Sequence, residues 1–245
     1  MTSPVASVGV LFLFAASAAL GAGSLLLLLA FLFFGPLGIA DLGLDDRAAL
    51  AFDAVLSLLF FLQHSTMTRG GFRSRLSRRV REEFQPAVYA VASGLVLAVV
   101  LLLWQETAEP LVSVTGPARW TLRGLFAMSL LGFVWGSRAL GPFDSLGLRA
   151  IWRHRKGKPA EELRFRVRGP YRWVRHPLYF FALMLFWTQP ELTASRLLFN
   201  ALWTSWVLLG TVLEERDLVA LFGQPYRDYQ RRVPMLVPYR LRPHH

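Results

Sequence analysis

The run from Val8 to Phe34 contains no charged side chain, and this limits the chain more than any other feature. It exceeds the ~20 apolar residues that a helix needs to cross a bilayer. A helix apolar on every side suits a membrane span rather than the surface of a soluble domain. A tilt or kink near Gly21–Gly23 would take up the surplus length. Further apolar segments follow at about Ala48–Gln63, Pro86–Trp104, Trp120–Leu140, Pro177–Gln189 and Leu192–Leu213. The fifth is short, covering about 20 Å of a ~30 Å hydrocarbon core at ~1.5 Å per residue. Gln189–Pro190–Glu191 reads as a turn, so the last two segments form a helical hairpin of unequal arms. The longer arm continues through Glu214–Phe222 until Gly223 and Pro225 stop it. The predicted fold is an all-α integral membrane protein of about six transmembrane segments. Residues 1–140 hold the first four, and residues 141–245 hold a basic loop, the hairpin and a tail.

Charge orients these segments. Arg69, Arg73, Arg75, Arg78, Arg79 and Arg81 follow the second segment, and an Arg- and Lys-rich loop follows the fourth. The connections after the first, third and fifth carry Asp41, Asp45 and Asp46, then Glu106 and Glu109, then Glu191. The positive-inside rule puts the basic loops and both termini in the cytoplasm. A net charge of +11 invites a nucleic-acid reading. The basic residues lie in short loops between apolar segments instead, so no nucleic-acid partner is expected. The chain has no cysteine, which excludes disulfides and thiolate nucleophiles. His64, His154 and His176 are scattered without ligand spacing, so no metal is expected either.

The densest polar stretch is Arg168–Gly169–Pro170–Tyr171–Arg172–Trp173–Val174–Arg175–His176–Pro177–Leu178–Tyr179, which runs straight into the fifth apolar segment. Pro177 suits the first turn of a helix, where its missing N–H is no loss. The positive end of that helix would face the aqueous boundary and favour a carboxylate or phosphate. The hairpin returns Glu214 and Glu215 to the same boundary as Arg175, His176 and Tyr179. Adjacent carboxylates there cost free energy unless paired or hydrated. Tyr226, Tyr229 and the tail Val233–Pro238 would roof a cytoplasmic-edge pocket. Such a pocket suits S-adenosyl-L-methionine. Its sulfonium is drawn to aromatic faces and carboxylates, its carboxylate to Arg175 or the helix N-terminus, and its ammonium and ribose to Glu214 or Glu215. Other anionic or zwitterionic ligands satisfy the same groups. Plainer roles also exist: His176 as a helix cap, the glutamates as a solvated face, Tyr171 and Tyr179 as an interfacial belt, Tyr229 as tail packing.

The two motifs carry a resemblance. Gly169–Pro170–Tyr171–Arg172, Arg175–His176–Pro177–Leu178–Tyr179 and, after the hairpin, Leu213–Glu214–Glu215–Arg216–Asp217–Leu218, Phe222–Gly223, Tyr226, Tyr229 and Val233–Pro234 resemble the core of the isoprenylcysteine carboxyl methyltransferase superfamily. Leu62–Gln63–His64–Ser65, Met67, Arg69 and Phe143–Asp144, Leu146–Gly147–Leu148–Arg149 are similar to its bacterial methanethiol S-methyltransferase branch, which includes NnrU-like membrane proteins. The resemblance implies an inner-membrane enzyme that uses S-adenosyl-L-methionine to methylate a small thiol, giving dimethyl sulfide from methanethiol. It implies a cofactor site at Tyr171, Arg175, His176, Pro177, Tyr179, Glu214, Glu215 and Tyr226. Methyl transfer from a sulfonium needs in-line alignment and a thiolate. The candidate base is His64, Asp144 or a boundary arginine could orient it or steady the thiolate, and Glu215 joins the catalytic set; a satisfied helix-end histidine and a turn or cap aspartate are the plain alternatives. A prenylated or lipid-like acceptor, and a non-enzymatic denitrification accessory protein of the NnrU-like kind, are the rival readings. One departure stands out: Phe181 occupies the position, two after the motif tyrosine, where the superfamily usually has glycine.

Overall fold

The computed structural model describes residues 4–141, 144–159 and 165–239, with side chains from Val8 onward. The chain forms two compact units: Met1–Thr107 with Asp144–Glu162, and Ala108–Phe143 with Leu163–His245.

In the first unit, α1 (Pro4–Ala16) passes through a π-helical turn, Ser17–Ala22, into α2 (Gly23–Phe34). The wide turn lies where the glycines suggested a kink, and such insertions deflect a helix without ending it. α3 (Asp46–Thr68) starts on Asp45, whose carboxylate accepts the Ala48 N–H at 2.8 Å. It buries Ala49, Asp53, Leu56, Ser57 and Phe60, a three-and-four spacing that makes one helix face. α4 (Gly70–Leu76) follows after a break at the extended Arg69. α5 (Gln85–Leu103) buries Ala87, Ala90, Gly94, Leu97 and Leu101. Gly94 is needed there, because a Cβ would lie 2.5 Å from the Leu20 carbonyl oxygen of the π turn. Fully buried Asp53 accepts the Gln105 N–H at 3.0 Å just past the end of α5. α7 (Leu148–Arg155) completes the unit, and the Ser17 hydroxyl donates to the Leu146 carbonyl just before it, at 2.5 Å.

The second unit contains α6 (Gly116–Ala139), α8 (Pro177–Trp187), α9 (Ala194–Phe222) and α10 (Gln224–Arg232). α6 buries Phe126, Ser129, Gly132 and Gly136, and its small residues let α8 approach closely. The Phe181 ring lies where a Cβ on Gly132 would be, and Leu178 lies 2.9 Å from where one on Gly136 would be. A glycine on α6 thus makes room for the phenylalanine on α8. At its far end the α8–α9 hairpin is tied by a short antiparallel ribbon, β1 (Pro110–Ser113) with β2 (Glu191–Thr193). The all-α expectation missed this ribbon, although Leu111–Val112–Ser113–Val114–Thr115 is rich in strand-forming residues. At ~1.5 Å per residue, α9 runs about 43 Å, longer than a hydrocarbon core, so its last turns have length to spare. It ends on Gly223, at φ 63°, as the Gly–Pro stop signal predicted.

The second apolar segment runs longer than expected, to Thr68, because Gln63, His64 and Ser65 continue the helix rather than ending it. Among the described residues four helical stretches are long and apolar enough to cross a membrane: Val8–Phe34, Asp46–Thr68, Glu82–Leu103 and Ala194–Phe222. α6 has the length but carries Arg119, Arg123 and Arg138, and α8 is apolar but short.

Candidate active site

The site forms where the α8–α9 hairpin opens. Pro177 begins α8, and the first helical bond after it runs from the Phe180 N–H to the His176 carbonyl at 3.0 Å. The N–H groups of Leu178 and Tyr179 therefore precede the intrahelical ladder. The backbone ahead of the helix is held by the tail: Arg175 N–H donates to the Pro234 carbonyl at 2.9 Å and His176 N–H to that of Met235 at 3.1 Å. Nothing in the motif itself signalled this pairing.

Glu215 lies at the centre. The Arg175 guanidinium grips it with two parallel bonds, Nε to Oε1 at 2.5 Å and Nη2 to Oε2 at 2.9 Å. His176 Nε2 is 3.1 Å from Oε1, and Gln230 Nε2 donates to Oε2 at 2.9 Å. The other arm of Arg175 donates to the carbonyls of Gln230, at 2.9 Å, and Val233. Arg175 and Glu215 side chains are 10% and 12% exposed, so the charges are buried but matched bond for bond. Both Glu215 oxygens are occupied, which makes this carboxylate the organiser of the site.

Glu214 differs. Its side chain is 42% exposed. Its Oε2 accepts the Tyr179 hydroxyl at 2.6 Å and lies 3.9 Å from His176 Nδ1. The His176 and Tyr179 rings stack, 5.5 Å apart and 7° from parallel. The result is an accessible carboxylate beside an aromatic face, an arrangement that attracts a cation.

α10 closes the other flank. Tyr226, Tyr229, Gln230 and Val233 recur at helical spacing and turn one face inward. Phe165 packs on the rings of Tyr226, Tyr229 and Phe222. The Tyr229 hydroxyl donates to the Tyr171 carbonyl at 2.6 Å, so this residue both packs and ties the motif loop. Burial pushes the Tyr171 phenol above its ordinary pKa, and the Glu214 charge adds to the shift. Burial first, then the neighbouring Glu215, does the same to Tyr226. Both phenols stay neutral hydrogen-bond donors across the physiological range.

The structure thus brings together Tyr171, Arg175, His176, Pro177, Tyr179, Glu214, Glu215 and Tyr226 within the second unit. Sequence reasoning missed Gln230, although it sits one helical turn beyond Tyr226, and it missed the Val233–Met235 carbonyls. His64 and Asp144 belong to the first unit. The Tyr89 hydroxyl lies 2.5 Å from His64 Nε2, and the Phe60 ring packs at 5.2 Å. Asp144 accepts the Ala150 N–H at 2.8 Å and so caps the first turn of α7.

Four helices long and apolar enough to cross a membrane among the described residues are the frame of an integral membrane protein. The comparisons with known proteins give the class: this is a membrane methyltransferase. The chain is 40% identical over 207 residues to a methanethiol S-methyltransferase of a Pseudomonas strain, covering 81% of this chain and 76% of that one. It is 36% identical over 194 residues to the methanethiol S-methyltransferase of Mycobacterium tuberculosis, covering 78% and 79%. It is also 28% identical over 205 residues to Nurim of Rattus norvegicus, covering 76% of each. No family model and no solved structure matches. The chain belongs to the methanethiol S-methyltransferase family, in the isoprenylcysteine carboxyl methyltransferase superfamily.

Proposed function

We propose that this protein transfers a methyl group from S-adenosyl-L-methionine to a small thiol, methanethiol foremost, giving dimethyl sulfide at the cytoplasmic side of a bacterial plasma membrane. In this reading the chain crosses six times, with α6 and the short α8 adding to the four apolar spans. The basic loops and both termini lie inside.

The observation that carries the reading is Glu214: a half-exposed carboxylate beside the stacked His176 and Tyr179 rings. Bound S-adenosyl-L-methionine supplies a methyl group on a cationic sulfur. The chemistry of the residues present fits that ligand. Glu214 and the His176–Tyr179 face attract its positive charges. The first-turn N–H groups of α8, behind Pro177, suit its carboxylate. Arg175 and Glu215 satisfy each other, so their part is to fix His176 and the tail in place. Tyr171 and Tyr226 are kept neutral, and the Tyr226 hydroxyl is directed at Glu215 Oε1, 3.5 Å away. His64 takes the thiol proton, and Asp144 acts as a positioning residue at the start of α7.

Calorimetric titration of the purified chain with S-adenosyl-L-methionine, paired with a headspace assay for dimethyl sulfide, tests this. Binding together with product supports the proposal. Binding without dimethyl sulfide keeps the donor and moves the acceptor to a prenylated or lipid-like thiol. Absence of binding overturns the reading and favours a non-enzymatic role.

A further inference from the structure

α3 does not simply end at Thr68 but breaks and restarts. Arg69 is extended, with φ −74° and ψ 142°, and α4 follows at once from Gly70. The helical bonding continues past its formal end, with the Val80 N–H donating to the Leu76 carbonyl at 2.8 Å. Phe72, Leu76 and Val80 therefore recur every fourth residue along one side, and all three are half-buried. Arg69, Arg73, Arg75, Arg78 and Arg79 are exposed. No acidic side chain among the described residues pairs with any of these five arginines. Nearby Arg81 and His154 both engage Glu83, at 2.7 and 3.0 Å, so that carboxylate is already matched. In the same unit α7 presents half-exposed Trp152, with Lys156 and Lys158 at 5.9 and 5.4 Å from its ring.

We propose that Arg69–Val80 is an in-plane segment that lies in the headgroup layer and binds acidic phospholipid. Three observations support it. The segment is joined directly to a membrane-crossing helix, so a headgroup layer is within reach by connectivity alone. Its apolar stripe is turned toward the protein, which leaves the arginines on the outward side, where a headgroup layer would meet them. Its exposed cations, unpaired with any acidic side chain among the described residues, call for anions, and juxtamembrane arginine clusters read as sites for anionic lipid. The Trp152 edge, an aromatic ring beneath two lysines, is of the kind that settles at the same depth. The inference does not depend on the methyl-transfer reading.

Because the chain has no cysteine, Ser77→Cys gives a single labelling site between the apolar and basic faces. The labelled full chain is placed in nanodiscs of phosphatidylcholine alone or mixed with phosphatidylglycerol. Quenching of an environment-sensitive dye by neutral acrylamide is then measured. The expected result is severalfold less quenching and a blue-shifted emission in the phosphatidylglycerol discs. The difference should collapse at high salt, where charges are screened within a few ångströms. It should also vanish when Arg73, Arg75, Arg78 and Arg79 are all changed to Gln. Equal quenching in the two disc types at low salt overturns the proposal. So does inorganic phosphate reproducing the shift in phosphatidylcholine discs, which would mark a free-anion site. Should the fourfold variant fail to insert, the lipid and salt comparisons on the Ser77→Cys chain still decide.

Discussion

His176 and His64 are both histidines next to a tyrosine near a helix end, yet their surroundings differ in kind. His176 is 6% exposed, lies 3.1 Å from Glu215 and 3.9 Å from Glu214, and stacks on Tyr179. It is fixed on three sides by charge and by a ring. His64 has a phenol at 2.5 Å and a phenyl ring at 5.2 Å. An imidazole clamped by carboxylates is suited to hold geometry. The His64 imidazole instead sits within hydrogen-bond reach of a phenol, with which it can share a proton. In the proposed reading the same residue type organises the site in one unit and supplies the base in the other.

The sharpest way to break that contrast is to remove what clamps His176. Arg175→Ala leaves Glu215 buried without its bidentate partner and frees the Gln230 and Val233 carbonyls. Losing one member of a buried pair costs about 3–5 kcal/mol. The variant should unfold at much lower temperature in detergent and lose donor binding. Arg175→Lys should recover only part, since an ammonium cannot make the two parallel bonds. Wild-type unfolding of Arg175→Ala would show that the clamp is not what holds the site.

His64→Ala attacks the other side of the contrast. Loss of a general base lowers turnover by roughly 10²–10⁴-fold. Binding of S-adenosyl-L-methionine should be unchanged, whereas His176→Ala should weaken it. Tyr171 and Tyr226 stay protonated to high pH. An alkaline rise that survives in His64→Ala therefore reports ionisation of the thiol itself. Unchanged turnover of His64→Ala across pH would remove it from the mechanism and leave the two histidines with no division of labour.

Much of this site was legible because its chemistry is concentrated in two short motifs and a turn. Gln189–Pro190–Glu191 forces the hairpin, and a hairpin returns Glu214 and Glu215 to the level of Arg175. What stayed hidden depends on partners far along the chain. The pairing of Arg175 and His176 with Pro234 and Met235 uses only backbone groups, which no side-chain pattern announces. In the sequence Phe181 is only a departure from the superfamily's glycine; that its ring packs on Gly132 shows only when α6 and α8 lie side by side. The exchange of roles between Glu214 and Glu215 was equally invisible, because adjacent residues on a helix point about 100° apart. Only one of the two faces the Arg175 clamp.

That difference between neighbours yields a smaller prediction. Glu214→Gln removes a charge without emptying the space, and it touches neither Arg175 nor Gln230. Stability should hold while the affinity for S-adenosyl-L-methionine falls by about tenfold, the equivalent of ~1.4 kcal/mol and just under the usual worth of a hydrogen bond to a charged group. Glu215→Gln should do the reverse, lowering the unfolding temperature first. Equal loss of affinity and stability in both variants would merge the two glutamates into one function.

The smallest effect tests how the motif loop is anchored. Tyr229→Phe keeps the ring that packs on Phe165 and Tyr226 and deletes only the hydroxyl that donates to the Tyr171 carbonyl at 2.6 Å. A neutral hydrogen bond of this kind contributes about 1 kcal/mol. The variant should therefore unfold only slightly earlier than wild type. Its consequence for binding is more informative than its size. Tyr171 leads through Trp173 and Val174 into Arg175, so loosening its carbonyl lets the backbone ahead of His176 move. If His176 works by being held still, Tyr229→Phe should weaken donor affinity modestly and leave turnover at saturation unchanged. A fall in saturated turnover with unaltered affinity would mean that the loop acts on chemistry directly.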